Sequence, residues 1–180
     1  MQEVFHRRFS TELGVIELSA SSAALVGLEF RETGTPACDR GSGTVSHGTV
    51  SHSPALALLD CAETQVRAYL SGRLRDFDLP LDLSAGTDFQ QEVWQGLMTI
   101  GYGQTLSYRE LAEAIGHPHA ARAVGGANHA NPIPLIVPCH RVIAADGSLG
   151  GYGGGLWRKR WLLRREGAHY RQPLDRMLRA

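Results

Sequence analysis

Cysteine is scarce in this chain, three residues in 180, and the number is odd. A disulfide framework needs a denser and even set, so the fold must stand on its core, and a reducing cytoplasm is the expected compartment. Long apolar runs are missing as well. No stretch approaches the ~20 residues that a membrane-spanning helix needs. Met1-Gln2-Glu3-Val4-Phe5-His6-Arg7-Arg8 is not followed by the apolar core of a signal peptide. Net charge is absent too, with 18 Lys+Arg against 18 Asp+Glu. Taken whole, that balance points to neither a nucleic-acid nor a membrane partner. Divided at Ser84 it says more: residues 1–84 hold 7 basic and 11 acidic side chains (−4), and residues 85–180 hold 11 and 7 (+4). Of the cations in the basic half, only Lys159 is lysine. What remains is an ordinary globular composition, 43% apolar and 20% charged, which excludes a disordered chain.

Residues 1–30 read as extended. Leu13–Leu18 and Ala24–Phe30 are β-rich runs separated by Ala20-Ser21-Ser22, a hairpin to which Val4–Phe9 adds a third strand. From Thr33 to Ser53 the composition turns to Gly, Ser, Thr and Pro, which marks a long loop. Ser53-Pro54 then opens a helix whose apolar face is Ala55, Leu58, Leu59, Ala62, Val66, Tyr69 and Leu70, with Gly72 as its stop. A domain boundary falls around Ser84-Ala85-Gly86, because helices dominate afterwards. Thr87-x-x-Gln90 and Ser107-x-x-Glu110 are capping boxes, each placing a helix start. The first of these helices carries Phe89, Val93, Leu97 and Ile100 on one face, and the second carries Tyr108, Leu111, Ala112 and Ile115. A third helix spans Ala120–Asn128, and with the second it makes a helix-turn-helix pattern. The fold class expected is α/β in the α+β sense. An antiparallel-sheet-plus-helix domain over residues 1–84 precedes a mainly helical domain over 85–180.

Asn131–Val142 is the densest stretch chemically. Its three prolines, Pro132, Pro134 and Pro138, predict an extended, stiff segment that presents Cys139 beside His140 and Arg141. A thiol becomes a useful nucleophile as thiolate, and its ordinary pKa of ~8.5 leaves a few per cent ionised near neutrality. An imidazole can take the proton, directly or through a water, and a carboxylate can hold that imidazole in one tautomer. The competing reading of a lone cysteine is a small apolar filler, and Cys38 and Cys61 are read that way. Cys38, His47, His52 and Cys61 have none of the tight spacings of a chelating pair, so no metal is expected.

Pro138-Cys139-His140-Arg141-Val142 resembles the acceptor motif of the O6-alkylguanine-DNA alkyltransferases, the methylated-DNA–protein-cysteine methyltransferases. The likeness extends to Arg122-Ala123-Val124-Gly125-Gly126-Ala127, Asn131-Pro132 with Pro134, Gly150-x-Tyr152-x-Gly154-Gly155-Leu156, and Trp161-Leu162-Leu163 with Glu166. It is close to continuous from Phe89 to Gly167 and weak before Ala55. The resemblance implies an RNase H-like N-terminal domain and no cofactor. It also implies a single-turnover reaction that moves an alkyl group from guanine O6, or thymine O4, onto the sulfur of Cys139. His140 would be the water-relayed base, Glu166 the carboxylate orienting it, and Asn131 the brace of the segment. Tyr108 would donate to N3 of the departing base. Arg122 would fill the space left by a nucleotide flipped out of the duplex, and Ala123, Gly125 and Gly126 would give its helix a slim face for the minor groove. Tyr152 and Gly153 belong to the lid over the base, Pro134 lines the alkyl pocket, the Val142 backbone reads the exocyclic amine, and Arg141 joins the DNA-binding set. The implied partner is alkylated double-stranded DNA, met by a monomer.

Two departures stand out: Gly101 where the family commonly has proline, predicting a looser turn, and Gly153 where relatives often carry serine. Asn128-His129 also differs from better-known members. Arg158, Lys159, Arg160, Arg164 and Arg165 read equally as a solvated helix face or as added positive charge for DNA. A Cys/His hydrolase would not need Arg122 or a helix-turn-helix. A transcription regulator would leave Pro138–Arg141 unexplained, and Gly125-Gly126 suits base reading poorly. A non-catalytic alkylation-damage recognition protein shares the DNA-binding half but lacks the cysteine that is present here.

Overall fold

The computed structural model describes residues 3–31 and 53–170. Cys38, His47 and His52, and nearly all of the Thr33–Ser53 stretch, lie outside the described residues. The chain divides into two compact units, Met1–Ala85 and Gly86–Ala180.

In the first unit, β1 (Phe5–Thr11), β2 (Gly14–Ala20) and β3 (Leu25–Arg31) form an antiparallel sheet with β2 in the centre. Thr11 turns the chain between β1 and β2, its hydroxyl donating to the Gly14 carbonyl, and Gly14 takes the left-handed φ of 93° that the turn requires. Alternation buries Ile16, Leu18 and Ala20 of β2, and a register shift opposite Ser19 and Ala20 brings Leu25 and Leu28 of β3, three positions apart, into the same core. Helix α1 (Pro54–Leu70) packs on β1 and β2. It buries Ala55, Leu59, Ala62, Val66, Tyr69 and Leu70, the predicted stripe apart from half-buried Leu58. Glu17 is buried in mid-strand and is tolerated there because Arg8 and Arg31 both pair with it.

The second unit begins with α2 (Asp88–Met98) and continues through the short strand β4 (Leu106–Ser107) into α3 (Tyr108–Ala114). Both capping boxes are formed: Thr87 and Gln90 exchange side-chain and backbone hydrogen bonds, and so do Ser107 and Glu110. Gly116, at φ 81°, ends the α3 segment, and α4 (Ala121–His129) follows after a short turn. Trp94 of α2 donates its indole N–H to the Ala127 carbonyl of α4 at 2.8 Å, a contact that the apolar pattern of α2 did not predict. β4 pairs in parallel with β5 (Val142–Ile143), and α5 (Leu156–Glu166) closes the unit against the turn that precedes β5. Among the described residues no helix is long and apolar enough to cross a membrane.

The extended reading of Asn131–Val142 needs correction: the backbone bends at Pro132-Ile133 and turns at Leu135-Ile136. Cys139–Arg141 is a 3-10 turn, not a strand. The Arg141 N–H closes this turn by reaching back to the Pro138 carbonyl at 2.9 Å. The Gly101 turn is not loose either. Gln104 closes it with a backbone hydrogen bond to the Gly101 carbonyl and a side-chain oxygen that accepts from the Gly101 N–H.

Candidate active site

Cys139 is buried at the start of the 3-10 turn, beneath the segment that leads in from α4. Asn131 shapes that segment: its Nδ2 donates to the Val137 carbonyl at 2.8 Å, and its Oδ1 accepts from the Ile133 N–H at 3.0 Å. Between them Leu135 is forced to φ 80°, a left-handed conformation that is strained for a branched side chain. Burial pushes the Cys139 thiol up to about 11, against the pull of the Asn131 side chain, the charge of Lys159 and the backbone amides of Cys139 and Leu135. The site thus surrounds the sulfur with donors while keeping it protonated at rest.

His140 is fully buried, and its Nε2 lies 2.7 Å from Glu166 Oε1. Burial lowers the imidazole pKa below its ordinary value in spite of the carboxylate. An ionised carboxylate only accepts, so Nε2 carries the proton, and Nδ1 is the basic nitrogen of the neutral ring. For Glu166, burial raises the carboxyl pKa, but hydrogen bonds and charge from His140 and Arg141 prevail and hold it at about 2. Arg141 grips both oxygens through Nε and Nη2 at 3.0–3.2 Å, and its Nη1 donates to the Ile100 carbonyl at 2.6 Å. The Gly103 N–H adds a bond to Glu166 Oε2 at 2.8 Å, and a Cβ on Gly103 would stand 2.8 Å from the Glu166 carbonyl oxygen.

This network corrects the expectation for Arg141. The residue is buried, and its guanidinium is committed to Glu166 and Ile100, so it faces the interior and not a DNA surface. Arginine suits this place because its planar fork matches a carboxylate in two directions.

Lys159 belongs neither to a solvated helix face nor to a DNA-facing charge run. The side chain is wholly buried on the inner face of α5, where Nζ donates to the Val142 carbonyl at 2.6 Å and the Gly151 carbonyl at 3.1 Å. Burial lowers its pKa to about 8, with the Cys139 charge pulling the other way. Val142 is therefore occupied through its carbonyl by a lysine within the protein. A sequence signal existed, since Lys159 sits three and four positions before the buried pair Leu162 and Leu163.

Tyr108, at the start of α3, is half-buried and lies against the Gly150–Gly151 backbone, where a Cβ on Gly150 would meet the hydroxyl at 3.2 Å. Burial, and then the Cys139 charge, raise its pKa, so the phenol stays protonated and able to donate. Tyr152 and Pro134 are half-buried, and Gly153 is exposed, with His129 of α4 about 3.9 Å from where its Cβ would be. Arg122 and Ala123 lie exposed on the first turn of α4, followed by half-buried Gly125 and exposed Gly126. Of the predicted site residues, buried Cys139, His140 and Glu166 thus gather with half-buried Asn131 and Tyr108 around the sulfur, while Arg122, Ala123 and Gly126 mark an outer helix face. Among the described residues no group of three or more His, Cys, Asp or Glu is placed to hold a metal.

A buried thiol with a carboxylate-held imidazole at the next position, beside an exposed arginine-led helix of small residues, defines a cysteine-based group-transfer protein. The comparisons make the class specific. Residues 88–168 match the model of the 6-O-methylguanine DNA methyltransferase DNA-binding domain, and residues 4–83 that of the ribonuclease-like domain of the same proteins. The chain is 44% identical over 172 residues to the methylated-DNA–protein-cysteine methyltransferase of Mycobacterium tuberculosis H37Rv, covering 96% of each. The crystal structure of Mycobacterium tuberculosis OGT in complex with DNA superposes with a TM-score of 0.74 at 44% identity, covering 90% of this chain and 92% of that one. The O6-methylguanine-DNA methyltransferase of Pyrococcus kodakaraensis gives a TM-score of 0.56 at 25% identity, over 92% of this chain and 100% of that one. The chain belongs to the methylated-DNA–protein-cysteine methyltransferase family. Its activity is direct repair of DNA by alkyl transfer to cysteine.

Proposed function

We propose that Cys139 is the acceptor and that each molecule takes one alkyl group, irreversibly, from O6-alkylguanine or O4-alkylthymine in double-stranded DNA. The buried Cys139–His140–Glu166 constellation carries this reading. In the step, the thiol proton leaves through a water to Nδ1 of His140, and Glu166 stabilises the imidazolium that forms. The sulfur attacks the alkyl carbon, an S–C bond forms, and the C–O6 bond breaks. The electron pair passes into the guanine ring, where a hydrogen bond from the Tyr108 hydroxyl offsets the charge until the base takes a proton from solvent and the imidazolium returns its own. The product thioether has no good leaving group. Restoration of guanine in the DNA should therefore stop at one equivalent per protein, whereas continued dealkylation under excess substrate would mark a hydrolase.

The base reaches a buried sulfur only if its nucleotide leaves the stack. Helix α3, the turn and α4 act as the helix-turn-helix, with α4 in the minor groove and Arg122 in the vacated space. Gly86–Ala180 holds both DNA binding and chemistry, and a monomer acting in the cytoplasm suffices. Arg122→Ala should slow transfer at least ~10-fold while weakening salt-sensitive binding to undamaged duplex far less. Equal losses in the two assays would remove the intercalating role.

Lys159 tunes the thiol. Its ammonium favours the thiolate below pH 8 and loses its proton above that value. Transfer should therefore rise as His140 deprotonates, hold through neutrality and decline above about pH 8. Lys159→Met should be slower by ~10–100-fold at pH 7, the worth of one or two pKa units on the thiol, and should lack the alkaline decline. An unchanged alkaline limb in that variant would assign the limb to another group.

A further inference from the structure

Helix α5 has two faces of different character. Lys159, Leu162, Leu163 and Glu166 are turned inward. On the other side, at spacings of three, four, seven and eight positions, come Trp157, Arg160, Trp161, Arg164 and Arg165, which line an open groove of about 590 Å3. Trp157 is 49% exposed, unusual for the largest apolar side chain, and none of the core packing explains why indoles stand on this side. The Arg158 guanidinium lies 4.4 Å above the Trp157 ring, and that of Arg165 lies 5.3 Å from the Trp161 centroid. Among the described residues no carboxylate forms an ion pair with Arg160, Arg164 or Arg165.

We propose that this face of α5 is a second DNA-binding surface, and that its ligand is single-stranded DNA. Indole faces take unpaired bases of any sequence, and guanidinium edges take phosphates, often in bidentate fashion. Trp157 and Trp161 are one helical turn apart, about 6 Å along the axis. That is wider than the ~3.4 Å step of a strand within duplex DNA, so the pair suits a strand that is unstacked and extended. The chain's own C-terminal stretch does not complement the groove, because residues 171–180 carry three arginines and one aspartate. The surface is separate from the Arg122 helix: α5 packs on the Cys139–Arg141 turn, whereas α4 packs on α2 and α3.

The test is titration of the full chain with a short oligo-dT, read by quenching of tryptophan fluorescence and by anisotropy of a labelled oligonucleotide. Trp157→Ala/Trp161→Ala should raise the Kd at least ~10-fold. Trp157→Ala/Arg164→Glu, which alters only exposed positions, should do the same and guards against misfolding of the first variant. Transfer from a short O6-methylguanine duplex should stay at the wild-type rate in both. An unchanged Kd for oligo-dT overturns the proposal. So does a parallel loss of duplex transfer, which would make α5 part of the lesion interface. Self-association of the wild type that both variants abolish, without oligonucleotide binding, would assign the face to a second copy and overturn it as well.

Discussion

Cys139→Ser is expected to bind a duplex containing O6-methylguanine as tightly as the wild type and to transfer no detectable alkyl group. The change removes one atom's chemistry and little else. The side chain is buried, its volume is nearly kept, and the surrounding donors from Asn131 and the backbone remain. A serine hydroxyl is far less acidic than a thiol, and burial that already pushes Cys139 up to about 11 would hold an alcohol protonated throughout the working range. Gel-shift titration and a transfer assay on the same preparation separate the two properties. Residual transfer by the serine variant would show that the sulfur is not the acceptor.

Glu166→Gln is expected to damage both stability and rate. Three hydrogen bonds from Arg141 and one from the Gly103 amide end on this carboxylate, besides the contact with His140. Removing its charge leaves a buried arginine uncompensated, which costs about 3–5 kcal/mol in comparable sites. For a unit of this size, Tm should fall by more than ~10 °C. The wild type should itself weaken in acid. Its folded pKa of about 2 lies below the ordinary 4.5, so the stabilisation is complete above pH 4.5 and is lost as the pH falls toward 2. Glu166→Gln should lack that acid dependence. Transfer by the folded variant should drop at least ~100-fold, because His140 loses both the partner that fixes its tautomer and the charge that stabilises its protonated form. A variant with wild-type melting and rate would reduce the network to passive filling.

Local chemistry made much of the fold legible. The Thr87 and Ser107 capping boxes place two helices within a residue of where they start, and the alternation in residues 13–30 yields the sheet. Cys139, His140 and Asn131 were legible because they share one short segment. Arg141 was not, because its partner Glu166 lies 25 positions away, and a basic residue beside a DNA motif reads as a phosphate contact until that partner is seen. Lys159 was hidden by its neighbours Arg158 and Arg160, although its spacing from Leu162 and Leu163 put it on the buried side. Leu135 gives no signal at all, since its positive φ is imposed by the Asn131 brace and not by its own propensity.

The central claim, one irreversible transfer to Cys139, is tested most directly by intact mass and peptide mapping after incubation with excess O6-methylguanine duplex. A single added methyl, confined to the Cys139 peptide, is expected on every molecule, with guanine restored in equal amount. A protein that keeps its original mass while guanine accumulates, or a methyl found on Cys38 or Cys61, would contradict it.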